Sequence, residues 1–244
     1  MKQAFVRFYA QLNDFLPPEK RMRDTAYLFA VSGSVKDMIE SLGVPHTEAE
    51  LILANGQPVD FAYQVQDGDR VSVYPAFRSL DLSPLGHRQP QLACCFVADT
   101  HLGRLAAYLR MLGFDTLYRN DYGDEELARL ASGKRILLTR DLGLLMRTAV
   151  TSGYFVRATE PRVQLAEVVQ RYGLTGAMAP FCRCVHCNAL LRPVEKELVS
   201  SRLLPETREH YHEFYLCPLC ERVYWKGSHY RRMQKLIESV VAST

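Results

Sequence analysis

The hydrophobic and polar positions change rhythm twice along the chain. In the first third, apolar residues come in short alternating pieces. AFVRFYA (residues 4–10) alternates as a strand does, and Leu28–Val31 is a second apolar run. Ser34–Leu42 reads as a short helix, with Ser34 as N-cap and Gly43 at its end. LILANG is a strand running into a turn, and DGDRVSVYP is a turn followed by an alternating strand that Pro75 closes. From Leu92 the rhythm becomes an alternation of strands and helices. LACCFVA is a continuous apolar run, as expected of a strand buried on both faces, and HLGRLAAYLRMLG has helical period. DTLY, ILLT and YFVRA read as strands; DEELARLAS, LGLLMRTAVTSG and VQLAEVVQRYGL read as helices. After residue 178 the pattern breaks into clustered cysteines and short strand-like pieces, then a final amphipathic helix from about Ser228 to Val241.

The first segment has the order strand, strand, helix, strand, strand, which is that of a ubiquitin-like β-grasp fold (α+β). The second predicts a parallel sheet flanked by helices, an α/β domain. The expected division is 1–80 for the β-grasp domain, 81–91 for a Pro- and Gly-containing linker, 92–178 for the α/β domain and 179–244 for the cysteine-rich end.

Composition narrows the class. Of 244 residues, 48% are hydrophobic and 23% charged, the balance of a soluble globular protein. No apolar run approaches the roughly 18 residues needed to span a bilayer, and no apolar stretch follows the basic start as in a secretory signal. Membrane partners are not expected, and the expected location is the cytoplasm. The net charge of +3 is too mild to prove a nucleic-acid partner, but residues 181–244 hold ten basic against seven acidic side chains.

Cys184-x-x-Cys187 and Cys217-x-x-Cys220 are the strongest chemical signal. Two such knuckles offer four thiolates to one tetrahedral zinc, and a four-cysteine site has no open position, so the ion is structural. The gap between the knuckles is longer than the roughly 15–20 residues of the commonest spacing, and a hairpin insertion would account for it. Cys182 allows a register in which it replaces Cys184, and His186, His210 or His212 are possible substitutes; two matching knuckles favour Cys184. Cys94 and Cys95 read as packing residues in the buried strand. Beyond the second knuckle, aromatics interleave with cations (Arg222, Tyr224, Trp225, Lys226, His229, Arg231, Arg232, Lys235), a pattern suited to stacking on bases and meeting phosphates. The plainer reading is a solvated helix face with Trp225 in a small core.

Asp99 follows the first strand of the α/β domain, Asp141 follows ILLT, and Asp124 opens a helix. The C-terminal ends of parallel strands lie along one edge, where ligands bind, so these acids would converge. Clustered carboxylates call for a cation, and hard oxygen ligands suit magnesium or manganese, one or two ions, in phosphodiester hydrolysis. Each aspartate is equally a good helix N-cap. Asp121 is a candidate outer ligand, Glu125 supports its helix start, and Arg104 and Arg140 are candidate phosphate contacts.

Residues 95–235 resemble the Mut-seven C-terminal ribonuclease domain, a PIN-like nuclease fold carrying a zinc ribbon. The resemblance rests on FVADTHLGRLAAYLRMLGFDT, GDEELARLA, RILLTRD, APFCRCVHCNALLRPV and FYLCPLCERVYWKGSHYRRM. It implies metal-dependent ribonuclease activity, with magnesium or manganese held by Asp99, Asp124 and Asp141 and zinc by Cys184, Cys187, Cys217 and Cys220. The family pattern also carries Arg104 and Arg140. Glu160 is offered as a fourth acid, offset from its strand end. Residues 1–78 resemble the β-grasp domain, similar to sulfur carriers, that precedes this nuclease, through FYAQLNDFLPP, SVKDMIESLGVPHTE, NGQPVDFAY and DGDRVSVYP. A sulfur carrier ends in a free Gly-Gly; here PAFRSLD runs on, so a docking module for a protein partner is expected instead. The partner of the whole chain is then RNA, single-stranded or looped. The rival reading is a non-catalytic RNA- or ribosome-binding adaptor whose acids are helix caps.

Overall fold

The computed structural model describes residues 1–76 and 94–242; the expected linker at 81–91 lies outside them, as do the first two residues of LACCFVA. In the N-terminal domain, β1 (Lys2–Phe8) buries Ala4, Val6 and Phe8, the period-two face that its alternation dictates. Next come β2 (Thr25–Phe29), α1 (Val35–Ser41), β3 (Leu51–Ala54), β4 (Gln57–Val59) and β5 (Arg70–Tyr74). The sheet order is β2-β1-β5-β3-β4, with β1 and β5 parallel at the centre and α1 laid across one face, which is the β-grasp arrangement. Helix α1 begins in a capping box: Ser34 Oγ accepts from Asp37 N–H, and Asp37 accepts from Ser34 N–H. One more strand is present than the pattern predicts. Gln57-Pro58-Val59 has no apolar alternation, yet Asn55 and Gly56 (φ +50° and +81°) make the tight turn that folds it back on β3.

The second domain is a three-layer sandwich. Its strands are β6 (Cys95–Ala98), β7 (Asp115–Leu117), β8 (Ile136–Thr139) and β9 (Gly153–Phe155), all parallel, in the order β7-β6-β8-β9. Alternation splits the strands between two cores. Phe96, Ala98, Ile136 and Leu138 pack under α2 (Gly103–Met111) and α5 (Pro161–Tyr172). Val97 and Leu137 pack under α3 (Asp124–Ala131) and α4 (Leu142–Leu145). Gly113 ends α2 at φ +98°, where a Cβ would also collide with the Ala179 carbonyl. The segment LGLLMRTAVTSG is helical for one turn only, not throughout. Val150 instead turns inward to full burial, and β-branched Thr148, Val150 and Thr151 disfavour further helix.

The cysteine-rich end forms a three-stranded sheet, β10 (Arg192–Val194), β11 (Phe214–Leu216) and β12 (Val223–Trp225). The insertion between β10 and β11 is helical rather than a hairpin: α6 (Lys196–Val199), then a 3₁₀ turn, then α7 (Pro205–His210), anchored by Val199 and Leu203 under Phe214. The final helix, α8 (Ser228–Ala242), returns Leu236 and Ile237 to the core of the second domain.

Both edges of the parallel sheet are covered by the flanking domains. At β9, Glu48 Oε1 of the β-grasp domain accepts the Phe155 N–H at 2.7 Å, and Glu48 Oε2 pairs with Arg157 at 3.3 Å. His46 lies between Glu40 Oε1 at 2.6 Å and the Val150 carbonyl at 2.9 Å, and Phe15 meets Phe155 edge to face. At β7, Asn188 Oδ1 accepts the Thr116 N–H at 3.1 Å while its Nδ2 donates to Asp115 at 2.8 Å. Side chains thus take up main-chain donors that would otherwise template strand addition.

Candidate active site and metal centre

The strand order places the switch point of the parallel sheet between β6 and β8. The chain leaves β6 through α2 on one face to reach β7, then returns through α3 on the other face to β8. The crevice that opens beyond their C-terminal ends is where α/β sheets bind ligands. Asp99 follows β6 directly and Asp141 follows β8 by one residue.

Thr139, fully buried at the end of β8, joins the two acids. Its Oγ1 donates to Asp99 Oδ2 at 2.6 Å and accepts from the Asp141 N–H at 3.0 Å. Asp99, 9% exposed, also accepts through Oδ1 from Thr100 N–H and Oγ1. Asp141 Oδ1 accepts from the N–H groups of Gly143 and Leu144, capping α4. Among the described residues neither Asp99 nor Asp141 takes part in a salt bridge. Thr139 and Thr100 were not singled out by sequence; the only hint was a hydroxyl closing an apolar strand.

The other candidates are placed differently. Asp124 is the first residue of α3, not its cap, which is Gly123; its Oδ2 pairs with Arg147 at 3.1 Å. Asp121 is exposed and bound to Arg119. Glu125 lies in the first turn of α3, and Glu160 caps α5 by accepting from Arg162 and Val163 N–H. Arg140 Nη1 donates to the carbonyls of Val156, Arg157 and Ala158, bracing the chain beyond β9. Arg104 is exposed in the first turn of α2.

The cysteines form two knuckles of the same construction. In each, the N–H of the residue after the second cysteine donates to the carbonyl of the first (Asn188 to Cys184, Glu221 to Cys217), and both those residues have positive φ (+74° and +57°). The N–H of the second cysteine donates to the sulfur of the first, Cys187 to Cys184 and Cys220 to Cys217. The four sulfurs lie within 4.8 Å of one another, with Cys184–Cys220 at 3.5 Å and Cys187–Cys217 at 3.3 Å. A zinc tetrahedron with bonds of about 2.3 Å needs sulfurs about 3.8 Å apart, so the set can hold such an ion. Cys182 stands outside it, as do His186, His210 and His212, and no other group of three or more metal-ligating side chains gathers among the described residues.

Burial alone would raise Cys184, but the Tyr224 hydroxyl and the N–H groups of Cys187 and His186 bring it down to about 6. Burial and the neighbouring thiols push Cys187 up to about 12. Four thiolates at this spacing would repel one another, and a divalent cation would relieve that repulsion. Arg110, buried in α2, ties the first knuckle to the second domain by donating to the carbonyls of His186 at 2.6 Å and Val185 at 3.2 Å.

With this geometry in view, the family comparison is decisive. A family model described as Mut7-C RNAse domain matches residues 94–237. The chain belongs to that family. A second model, described as Mut7-C ubiquitin, matches residues 1–81. No curated protein and no solved structure matches the chain. The mixed α/β fold agrees with the expectation of a PIN-like domain behind a ubiquitin-like one, and the family carries a nuclease or RNA-related role. No helix among the described residues is long and apolar enough to cross a membrane.

Proposed function

We propose that this Mut7-C chain is a metal-dependent ribonuclease of the PIN-like class, hydrolysing RNA phosphodiester bonds at the Asp99–Asp141 crevice. One observation carries the reading: Thr139 holds the Asp99 carboxylate and the Asp141 main-chain N–H together at the switch point, and among the described residues neither carboxylate is in a salt bridge. Hard oxygen donors left in that state fit magnesium or manganese. Asp99 and Asp141 would hold the ion; Asp124 would join them only by releasing Arg147. Such an ion supplies an activated water and neutralises charge at phosphorus.

The chain's own residues do the positioning. Thr139 and Thr100 fix the Asp99 carboxylate in one orientation, and the α4 amides fix Asp141 through Oδ1. Arg104, exposed on the first turn of α2, is free to meet the phosphate, whereas Arg140 acts from one guanidinium nitrogen as a brace. Zinc in the four-cysteine site is structural and holds the ribbon that grips RNA. The β-grasp domain (1–80) docks on β9, the linker is 81–91, the nuclease domain 92–178 and the ribbon with its basic helix 179–244. Seven cysteines outside any disulfide, four of them gathered as a zinc site, suit a reducing compartment, the cytoplasm.

The adaptor reading has its own support: Asp99 and Asp141 cap turns, and Asp124 is ion-paired. The two part on one experiment, cleavage of a labelled RNA pool in magnesium, manganese or EDTA by wild type, Asp99→Asn and Asp141→Asn. Metal-dependent cleavage lost in both variants, with RNA affinity retained, is expected. No cleavage of varied RNAs by folded, zinc-loaded wild type refutes the nuclease and leaves the adaptor.

A further inference from the structure

A cavity of about 560 Å³ lies between the first knuckle, the β11–β12 hairpin and the start of α8, away from the aspartate crevice. Its size falls within the roughly 300–1,000 Å³ of small-molecule sites. Aromatic rings form much of its wall: Phe181, Tyr215, Trp225 and Tyr230. Arg183 and Lys226 add positive charge and His229 an imidazole, and among the described residues no carboxylate lines it.

Three features show that the backbone is committed to this shape. Phe181 sits at φ +64°, a region that a bulky residue occupies only under constraint, and its N–H is held by the Met111 carbonyl at 2.9 Å. Its ring meets Tyr230 with centroids 4.2 Å apart. Gly227 admits the indole, since a Cβ there would lie 2.8 Å from Trp225 Nε1. Arg183 is fixed by bonds to the carbonyls of Gly113 and Asn188, both at 3.0 Å. Lys226 is paired with Glu213, whereas among the described residues neither Arg183 nor His229 takes part in a salt bridge. Trp225 stays 37% exposed.

We propose that this cavity takes an unstacked nucleobase of single-stranded RNA, sandwiched by the aromatic wall, with its phosphate toward Arg183 and His229. The proposal rests on the reading of RNA as substrate and names the subsite that reads it. Flat aromatic surfaces bind any base by stacking, and cations without acids select an anionic ligand over an apolar peptide. A base inserted here fixes the strand at a point set by the ribbon, whose knuckle Arg110 holds against the nuclease domain.

The chain's single tryptophan, Trp225, provides the signal. Zinc-loaded full-length protein without added magnesium or manganese is titrated with an eight-nucleotide single-stranded RNA, its duplex, and an apolar peptide of equal length. Saturable change in tryptophan fluorescence is expected with the single strand alone. Tyr230→Leu, which keeps apolar bulk but removes the ring, should raise Kd roughly tenfold or more, and Tyr230→Phe should match wild type. Circular dichroism and zinc content establish that each variant is folded. No response to single-stranded RNA, a response to the peptide alone, or an equal Kd for Tyr230→Leu overturns the proposal. Cleavage is scored separately on the same protein: cleavage without a Trp225 response refutes the subsite and spares the nuclease. A response without cleavage in any metal does the reverse.

Discussion

Glu48 offers the sharpest test of how the β-grasp domain is attached. Its carboxylate is 1% exposed and serves two groups of the nuclease domain, the Phe155 N–H and the Arg157 guanidinium. Glu48→Ala leaves both behind. Breaking a buried ion pair costs about 3–5 kcal/mol, and an orphaned buried N–H about 1–3 kcal/mol within that total. Arg157 is still 24% exposed and keeps Asp14, so the lower end applies, about 3 kcal/mol. In exchange terms that is roughly a hundredfold faster hydrogen exchange at the Phe155 amide, if opening of the interface governs it. The pair is unequal. Burial pushes the Glu48 carboxyl above its ordinary value despite Arg157, whereas Arg157, although desolvated too, is held more firmly charged than usual by Glu48 and Tyr154. The folded chain therefore binds the Glu48 proton more tightly than the unfolded chain does. This contribution to stability is complete below the unfolded value and is lost as pH rises through the raised one. Glu48→Gln, which keeps an acceptor for Phe155, should remove that pH-dependent loss and cost less than Glu48→Ala. Exchange at Phe155 followed by NMR, with thermal unfolding from pH 4 to 8, checks both. Unchanged Phe155 exchange in Glu48→Ala would refute the docking argument.

The other edge gives the opposite pH dependence. Burial works against the Asp115 carboxylate, but Arg135 (2.9 and 3.0 Å) and Asn188 outweigh it and hold its pKa below the ordinary 3.8. Its contribution is present above that value and disappears as pH falls through the lowered one, so Asp115→Asn should shift the acid-unfolding midpoint upward. In the metal centre, Cys184→Ser and Cys220→Ser should each reduce zinc well below one per chain by elemental analysis, whereas Cys182→Ser should keep it. Equal zinc loss in Cys182→Ser would reopen the alternative register.

What could be read in advance was whatever repeats over a few residues. The Ser34 cap, the two-sided burial of β6 and the CxxC pairs all follow from local period or spacing. What escaped was set by single contacts across the chain. Helix α4 ends after one turn because Val150 is drawn into the core and its carbonyl faces His46, a partner 104 residues away. Asp124 looked like a third ligand because it opens a helix beside the right edge, but only the fold brings Arg147 within 3.1 Å of it. Asn188 follows a cysteine knuckle and reads as a turn residue, yet it also closes the β7 edge 72 residues earlier in sequence. Thr139 is the most telling case. By pattern it merely ends an apolar strand, and by geometry its hydroxyl binds the Asp99 carboxylate and the Asp141 main-chain N–H. A hydroxyl at the end of a buried strand has one donor and limited room, so once Asp99 takes that donor, the Asp141 amide completes its bonding. The pairing of the two acids is thus a consequence of satisfying one buried threonine, and it exists only after β6 and β8 lie side by side.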